Sequence, residues 1–221
     1  MVIILDFCRL YLTNICDFGD VIARNNIRNV SAMRILIKKI AETVRSDVSY
    51  TRLQNAVTSV GVKISKDIVI NYISYIEDAY LIFRLKNFVY KFAEKESSPK
   101  YYFSDNGILN LFLFDKDSAL LENLAAVKLH QKYNNRVYFY KSAKTGIDID
   151  FYIPDEKTAI QAAYSLNDDS FARETASLVS LARHDKSVRN FKVITYEDED
   201  ILEISGIKIE VIPAYKFLLE K

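Results

Sequence analysis

Two acidic residues, Glu122 and Asp150, are of the type that could hold a hard cation, and a third, Asp148, lies close to Asp150 in sequence. Asp148 and Asp150 lie in Ile147-Asp148-Ile149-Asp150-Phe151-Tyr152-Ile153, and Glu122 lies upstream in Leu120-Leu121-Glu122-Asn123. Carboxylate oxygens are the ligands Mg²⁺ prefers, and bound Mg²⁺ can activate water and offset charge on a phosphate. Asp148 is expected to face away from Asp150 and not to substitute for it. Other chemistry is thinner. His130 and His184 are far apart, on helical surfaces beside Lys and Asp, and read as solvated residues rather than as ligands or a general base. Cys8 and Cys16, the only cysteines, fall in one apolar helix-like segment, which argues for reduced buried thiols in a cytoplasmic protein and against a disulfide framework or a metal site.

The acids need strands and a helix to position them. Residues 147–153 and the run Thr158-Ala159-Ile160-Gln161-Ala162-Ala163-Tyr164-Ser165 alternate or run apolar as strands do, with Pro154-Asp155-Glu156-Lys157 as the hairpin turn. Glu122 falls in a helix over 119–132, where it shares a face with Ala126 and Leu129 at i+4 and i+7; an acid on an apolar stripe is a site candidate. A strand over 136–141, a helix over 170–181, a strand over 190–195, short strands near 201–204 and 207–212, and a terminal turn with Phe217, Leu218 and Leu219 complete this part. From 119 to 195 the order is helix, three strands, helix, strand.

The preceding part reads differently. Apolar spacing over 5–27 predicts a helix that opens without a cap at Met1, either an ordinary N-terminal helix or the continuation of something upstream. Ser31 is the expected cap of a helix over 31–45 burying Ile35, Leu36, Ile40 and Val44. A second helix over 49–60 buries Leu53, Val57 and Val60 and ends at Gly61, and Ser65 caps a third over 66–79 with Val69, Tyr72, Ile73 and Ile76 inward. Strands over 81–90 and 101–103 follow, joined by a solvated polar loop over 93–100, and a short helix over 108–113 opens at Asp105. Three helices and a hairpin are the plan of a winged helix-turn-helix. Lys66 and Asn71 on the third helix, with Arg84, Lys86 and Lys91 on the wing, would face double-stranded DNA, a thin basic footprint. The same plan can serve instead as a protein-docking or spacer module.

Composition sets the bounds. Half of the 221 residues are hydrophobic, enough for a packed core, and a net charge of +1 gives no global field toward nucleic acid or membrane. Residues 1–100 hold 15 basic against 10 acidic side chains and the remainder 15 against 19, so the first part is the better one for touching phosphate. Tyr101, Tyr102, Tyr138, Tyr140 and Phe151 suit core packing better than base stacking. Asp6 and Arg9 stop the opening apolar run too early for a membrane span, so no membrane partner is expected. Five scattered glycines and no Gly-x-x-x-x-Gly-Lys-Ser/Thr motif leave ATP hydrolysis by this chain unsupported.

Taken in order, Tyr11-Leu12, Asp20-Val21, Arg24, Ser65 with Val69 and Tyr72-Ile73, Tyr102-Phe103-Ser104-Asp105-Asn106-Gly107, Leu120-Leu121-Glu122-Asn123, Asp148-Ile149-Asp150-Phe151, Ile160-Gln161-Ala162-Ala163, Arg173-Glu174, Lys192-Val193-Ile194-Thr195 and Gly206-Ile207 form a pattern. It resembles the C-terminal region of prokaryotic AAA-type ATP-binding proteins, which carries a domain of unknown function (DUF4143). The resemblance implies a mixed α/β chain: an N-terminal linker helix over 1–30, a winged helix-turn-helix over 31–104, and a restriction-endonuclease-like α-β-β-β-α-β domain over 105–221, normally following an ATPase module. It also implies roles: Glu122 as the helix acid, Asp150 as the metal-binding acid, Gln161 in place of a second acid and Ala163 in place of a lysine. Gln161 offers Mg²⁺ only a neutral carbonyl, and losing an electrostatic group such as the lysine costs ~10²–10³ in rate.

Three functions follow as expectations. The first is a non-catalytic DNA-binding or partner-binding module with a vestigial site of Glu122, Asp150, Gln161 and Ala163 and no cofactor. The second is a DNA nuclease using Mg²⁺ on Glu122 and Asp150. The third is a protein-interacting regulator of a separate ATPase domain or subunit.

Overall fold

The computed structural model describes residues 19–90, 98–113, 116–166 and 169–220. Most of the helix expected over 5–27, both cysteines, Lys91 and most of the loop over 93–100 lie outside the described residues. Eight strands form one mixed sheet: β1 (Ile82–Asn87), β2 (Lys100–Phe103), β3 (Tyr138–Ser142), β4 (Ile147–Ile153), β5 (Thr158–Ala162), β6 (Asn190–Thr195), β7 (Asp200–Ile204) and β8 (Ile207–Pro213). Their order across the sheet is β2-β1-β3-β4-β5-β6-β8-β7. Among the described residues there are eight α-helices: α1 (Gly19–Arg24), α2 (Val30–Glu42), α3 (Tyr50–Ser59), α4 (Lys66–Asp78), α5 (Asn106–Asn110), α6 (Asp117–Tyr133), α7 (Asp169–His184) and α8 (Ala214–Leu219).

The helical part follows its apolar stripes. Leu36, Ile40 and Val44 are buried on and after α2, Leu53 and Val57 on α3, and Val69, Tyr72, Ile73 and Ile76 on α4. Ser65, the expected cap of α4, accepts the backbone N–H of Ile68, and Ser49 caps α3 in the same way through the N–H of Arg52. The cap of α2 is Asn29, whose side chain accepts the N–H of Ala32, and not Ser31: an Asx side chain two residues earlier reaches the first free N–H and starts the helix sooner. Val60 is 54% exposed, because it is the C-cap of α3 and the chain turns at Gly61, with φ at +88°.

The sheet joins the two parts. β1 and β2 pair antiparallel with Ile82 opposite Phe103, and β1 also runs parallel to β3 with Lys86 opposite Tyr138. The buried Asn87 extends that junction with its side chain, donating from Nδ2 to the Lys141 carbonyl at 2.7 Å and accepting the Lys141 N–H at 3.1 Å. β3, β4 and β5 form an antiparallel meander, and α7 carries the chain across to β6, parallel to β5. The β4 turn closes at Lys157 in a left-handed conformation, φ +50°. One apolar cluster runs from Val21 to Phe217 and takes Phe139 and Ile160 from the sheet with Leu121 and Leu129 from α6. The alternate residues Tyr140 and Ala159 pack into a second cluster with Leu178 and Leu181 of α7. The two-residue period of the strands thus places α6 and α7 on opposite faces.

Two expectations about β2 and β4 are corrected. Lys100, assigned to the solvated loop, is the first residue of β2 and only 2% exposed, because Tyr101, Tyr102 and Phe103 carry it into the core as a strand. Asp148 and Asp150 line the same cavity, since residues i and i+2 of a strand share a face.

Candidate functional site

A cavity of about 450 Å³ opens where β2, β4, α6 and α7 approach one another; its walls include Arg45, Lys100, Glu122, Asp148, Asp150, Arg173 and Glu174. Each side chain has a local reason to be there. Asn123 clamps α6 to β2, accepting the Phe103 N–H at 2.8 Å and donating to the Phe103 carbonyl at 2.9 Å. That clamp turns the neighbouring Glu122 toward β2, where Tyr102 donates its hydroxyl proton to Oε1 at 2.8 Å. Lys100 shares the strand face of Tyr102. Its Nζ lies 2.9 Å from Asp150 Oδ1 and 3.5 Å from Glu122 Oε1. Arg45, just beyond α2, completes the Glu122 shell with Nε 3.0 Å from Oε2.

Gln161 links the two sides of the site. Its Oε1 accepts the Asp150 N–H at 2.7 Å, and its Nε2 donates to the Asp148 carbonyl at 2.8 Å and to Glu174 Oε2 at 2.7 Å. Arg173 closes the other Glu174 oxygen at 2.7 Å. Asp150 Oδ2 is taken by the Ala162 N–H at 3.1 Å. Ala163 is buried in the cluster beneath α7, its N–H donated to the Ile194 carbonyl.

When all are ionised, Arg45, Lys100 and Arg173 face four acids, Glu122, Asp148, Asp150 and Glu174, and Lys141 lies 3.8 Å from the outermost of them, Asp148. Burial is the dominant perturbation. It pushes the Glu122 carboxyl up to about 7, helped by the charge of Asp150 and opposed by Lys100, Arg45 and the Tyr102 hydrogen bond. Burial also raises Glu174, with Asp150 adding to it. For Lys100 burial pulls downward, but Asp150, Tyr102 and Glu122 together raise the ammonium well above the ordinary lysine range.

A divalent cation does not suit this set. Gln161 offers only a neutral carbonyl that already accepts a backbone N–H, and the space between Glu122 and Asp150 holds an ammonium. Among the described residues no cluster of three or more His, Cys, Asp or Glu is arranged to hold a metal ion.

The structure brings Glu122, Asp150 and Gln161 together and leaves Ala163 in apolar packing. On the helical part Lys66 and Asn71 are exposed on α4, Lys86 is half-buried on β1, and Arg84 is engaged by both oxygens of Glu77 and by the Tyr50 hydroxyl at 3.2 Å. His184 is exposed, but His130 is not the solvated residue expected. It stacks on Phe83 at 4.2 Å between ring centres, and burial lowers its pKa. Sequence reasoning missed Arg45, Lys100 and Glu174. Glu174 had a signal, since Leu178 and Leu181 follow it at i+4 and i+7, the same stripe that marks Glu122. Lys100 had a weaker one, a lysine two residues before a strand tyrosine.

Comparison with known proteins places the chain by its sequence. An uncharacterized protein of Methanocaldococcus jannaschii, MJ1544, is 32% identical over 218 residues, covering 91% of this chain and 47% of that protein. An uncharacterized protein of Haemophilus influenzae is 24% identical over 206 residues, covering 91% of this chain and 49% of its own length. The chain therefore spans about half the length of these relatives. No solved structure matches. Among the described residues no helix is long and apolar enough to cross a membrane. A family profile described as a domain of unknown function (DUF8612), a different family from DUF4143, matches residues 10–137, across the boundary expected at 104. With more than half its length matched, the chain belongs to the DUF8612 family.

Proposed function

We propose that this chain is a non-catalytic module that binds a macromolecular partner, working as the C-terminal part of an AAA-type ATP-binding protein on a nuclease-like frame whose chemistry is lost. The observation that carries the reading is Gln161: its carbonyl and both amide protons are spent on Asp150, Asp148 and Glu174. A residue so engaged, with both amide protons committed and its neutral carbonyl already accepting a backbone N–H, holds the frame rather than offering a metal a charged oxygen. The curated relatives, about twice as long as the matched region, are compatible with attachment to a further module such as an ATPase.

The helical part supports a protein partner over DNA. Along α4 the exposed side chains include Ile68 and Ile70 beside Lys66 and Asn71, and Arg84 is already neutralised by Glu77. Affinity for duplex DNA is built from several free cations, and its salt dependence counts them.

Two assays test the proposal. Supercoiled plasmid incubated with Mg²⁺ or Mn²⁺ is expected to stay intact; cleavage that disappears in Asp150→Ala would overturn the non-catalytic reading. Filter binding to duplex DNA across a salt series is expected to give weak retention, unchanged in Lys66→Ala/Asn71→Ala. Tight, salt-sensitive retention lost in that variant would replace a protein partner by DNA.

A further inference from the structure

We infer that the ammonium of Lys100 is a built-in substitute for a divalent cation, and that removing it turns Glu122 and Asp150 into a metal site. The inference rests on the non-catalytic reading of the frame and deepens it by saying what occupies its centre.

The argument is one of position and charge. Lys100 Nζ sits 2.9 Å from Asp150 and 3.5 Å from Glu122, and both acids belong to elements separated from Lys100 by long stretches of chain. The three side chains are 3%, 12% and 1% exposed, so water does little to screen the carboxylates from each other. Two acids that close and that buried need a cation between them. A divalent ion is one solution, and a lysine delivered by a neighbouring strand is another. Here the second is built into β2, and the strand holds it firmly. Lys100 pairs with Leu85 in the β1 ladder, its ammonium lies 5.7 Å from the centre of the Phe139 ring, and Tyr102 on the same face fastens Glu122.

The rest of the shell agrees. Arg45 on the far side of Glu122 leaves that carboxylate no oxygen without a donor, and the Ala162 N–H takes the second oxygen of Asp150. With Lys100 in place a metal would have to compete with four donors on the two acids: Lys100, Tyr102, Arg45 and the Ala162 N–H. Without it, Asp150 Oδ1 and Glu122 Oε1, the latter still accepting from Tyr102, border a vacated space beside the 450 Å³ cavity, through which a hydrated ion can enter. Lysine and metal are alternatives at one position, and the wild-type protein has chosen the covalently tethered one.

The test compares four proteins with MnCl₂ as the probe, reading Mn²⁺ binding by its electron paramagnetic resonance signal and stability by the thermal midpoint. Wild type should neither bind Mn²⁺ nor shift its midpoint. Lys100→Ala should melt lower without metal, bind Mn²⁺ with a Kd on the order of 10⁻⁴–10⁻³ M, as expected for a site with few carboxylates, and recover part of its midpoint. Lys100→Ala/Asp150→Asn should lose that response. Lys100→Met/Glu122→Gln, which removes one charge of each sign, should fold and ignore Mn²⁺.

Wild-type binding of Mn²⁺ that depends on Asp150 would overturn the assignment. So would a Lys100→Ala protein that ignores Mn²⁺, folded or not, while Lys100→Met/Glu122→Gln folds. Plasmid cleavage by the wild type would instead sink the non-catalytic reading, so the two failures are told apart.

Discussion

From α2 to α4 the protein keeps charge outside: Arg34, Lys38, Arg52, Lys63, Lys66 and Asp67 are all exposed, and the helices stand on apolar stripes and capping side chains. Around β4 it does the reverse, turning Lys100, Glu122, Asp150 and Glu174 inward. Arg45 bridges the two regimes, leaving the end of α2 to reach Glu122. The difference is one of how energy is stored. Apolar packing and caps add small independent contributions, whereas a buried ionic cluster is all or nothing, since removing one member strands the others in a medium that cannot solvate them.

The largest break in that contrast should come from Lys100→Met. It leaves Asp150 and Glu122 short of a counter-charge and should cost about 3–5 kcal/mol in urea unfolding. A pH series tests the same cluster through Glu122. Its folded pKa, near 7, exceeds its ordinary value of 4.5, so the native state binds the proton more tightly than the unfolded chain. Stability from this group is therefore present at acidic pH and declines as pH rises through that window, by up to about 3 kcal/mol; Glu122→Gln should flatten the decline. Lys100 shifts stability in the same direction but in a different window: its raised ammonium stabilises below the ordinary lysine range, and that contribution is lost only in strong alkali. Gln161→Glu should cost about 2 kcal/mol, because a carboxylate there loses two donated protons and faces Glu174. On the helical side Ser65→Ala should cost only about 1 kcal/mol, the value of one cap, with no pH dependence.

The same division explains what was legible in the sequence. Stripes and strands that depend on neighbours in the chain were read closely: the buried face of α4, the span of β4 and the span of β6. Helix ends slipped where two capping residues competed, as at Asn29 and Ser31. Lys100 is hard to place because the one local signal, a strand tyrosine two residues on, is too weak to set it apart from the polar run before it. Its meaning comes from Glu122 and Asp150, which only the folded sheet brings near. The shared face of Asp148 and Asp150 follows from the two-residue period of β4 and is legible from the strand alone. Glu174 carries the same apolar stripe at i+4 and i+7 as Glu122, so its inward position is legible by the same rule.

The junction through β1 has a practical consequence. Lys86 and Asn87 lie in register with Tyr138 and Phe139, and the Asn87 amide prolongs the ladder onto Lys141. A cut near residue 104 would therefore strip β3 of its neighbour and leave a row of unsatisfied amides, an invitation to self-association. Among the described residues, the β1–β3 pairing makes position 104 a poor place to divide the sheet. In native-state hydrogen exchange the amides of β1 and β3 should open in the same event, and limited proteolysis should release no stable half.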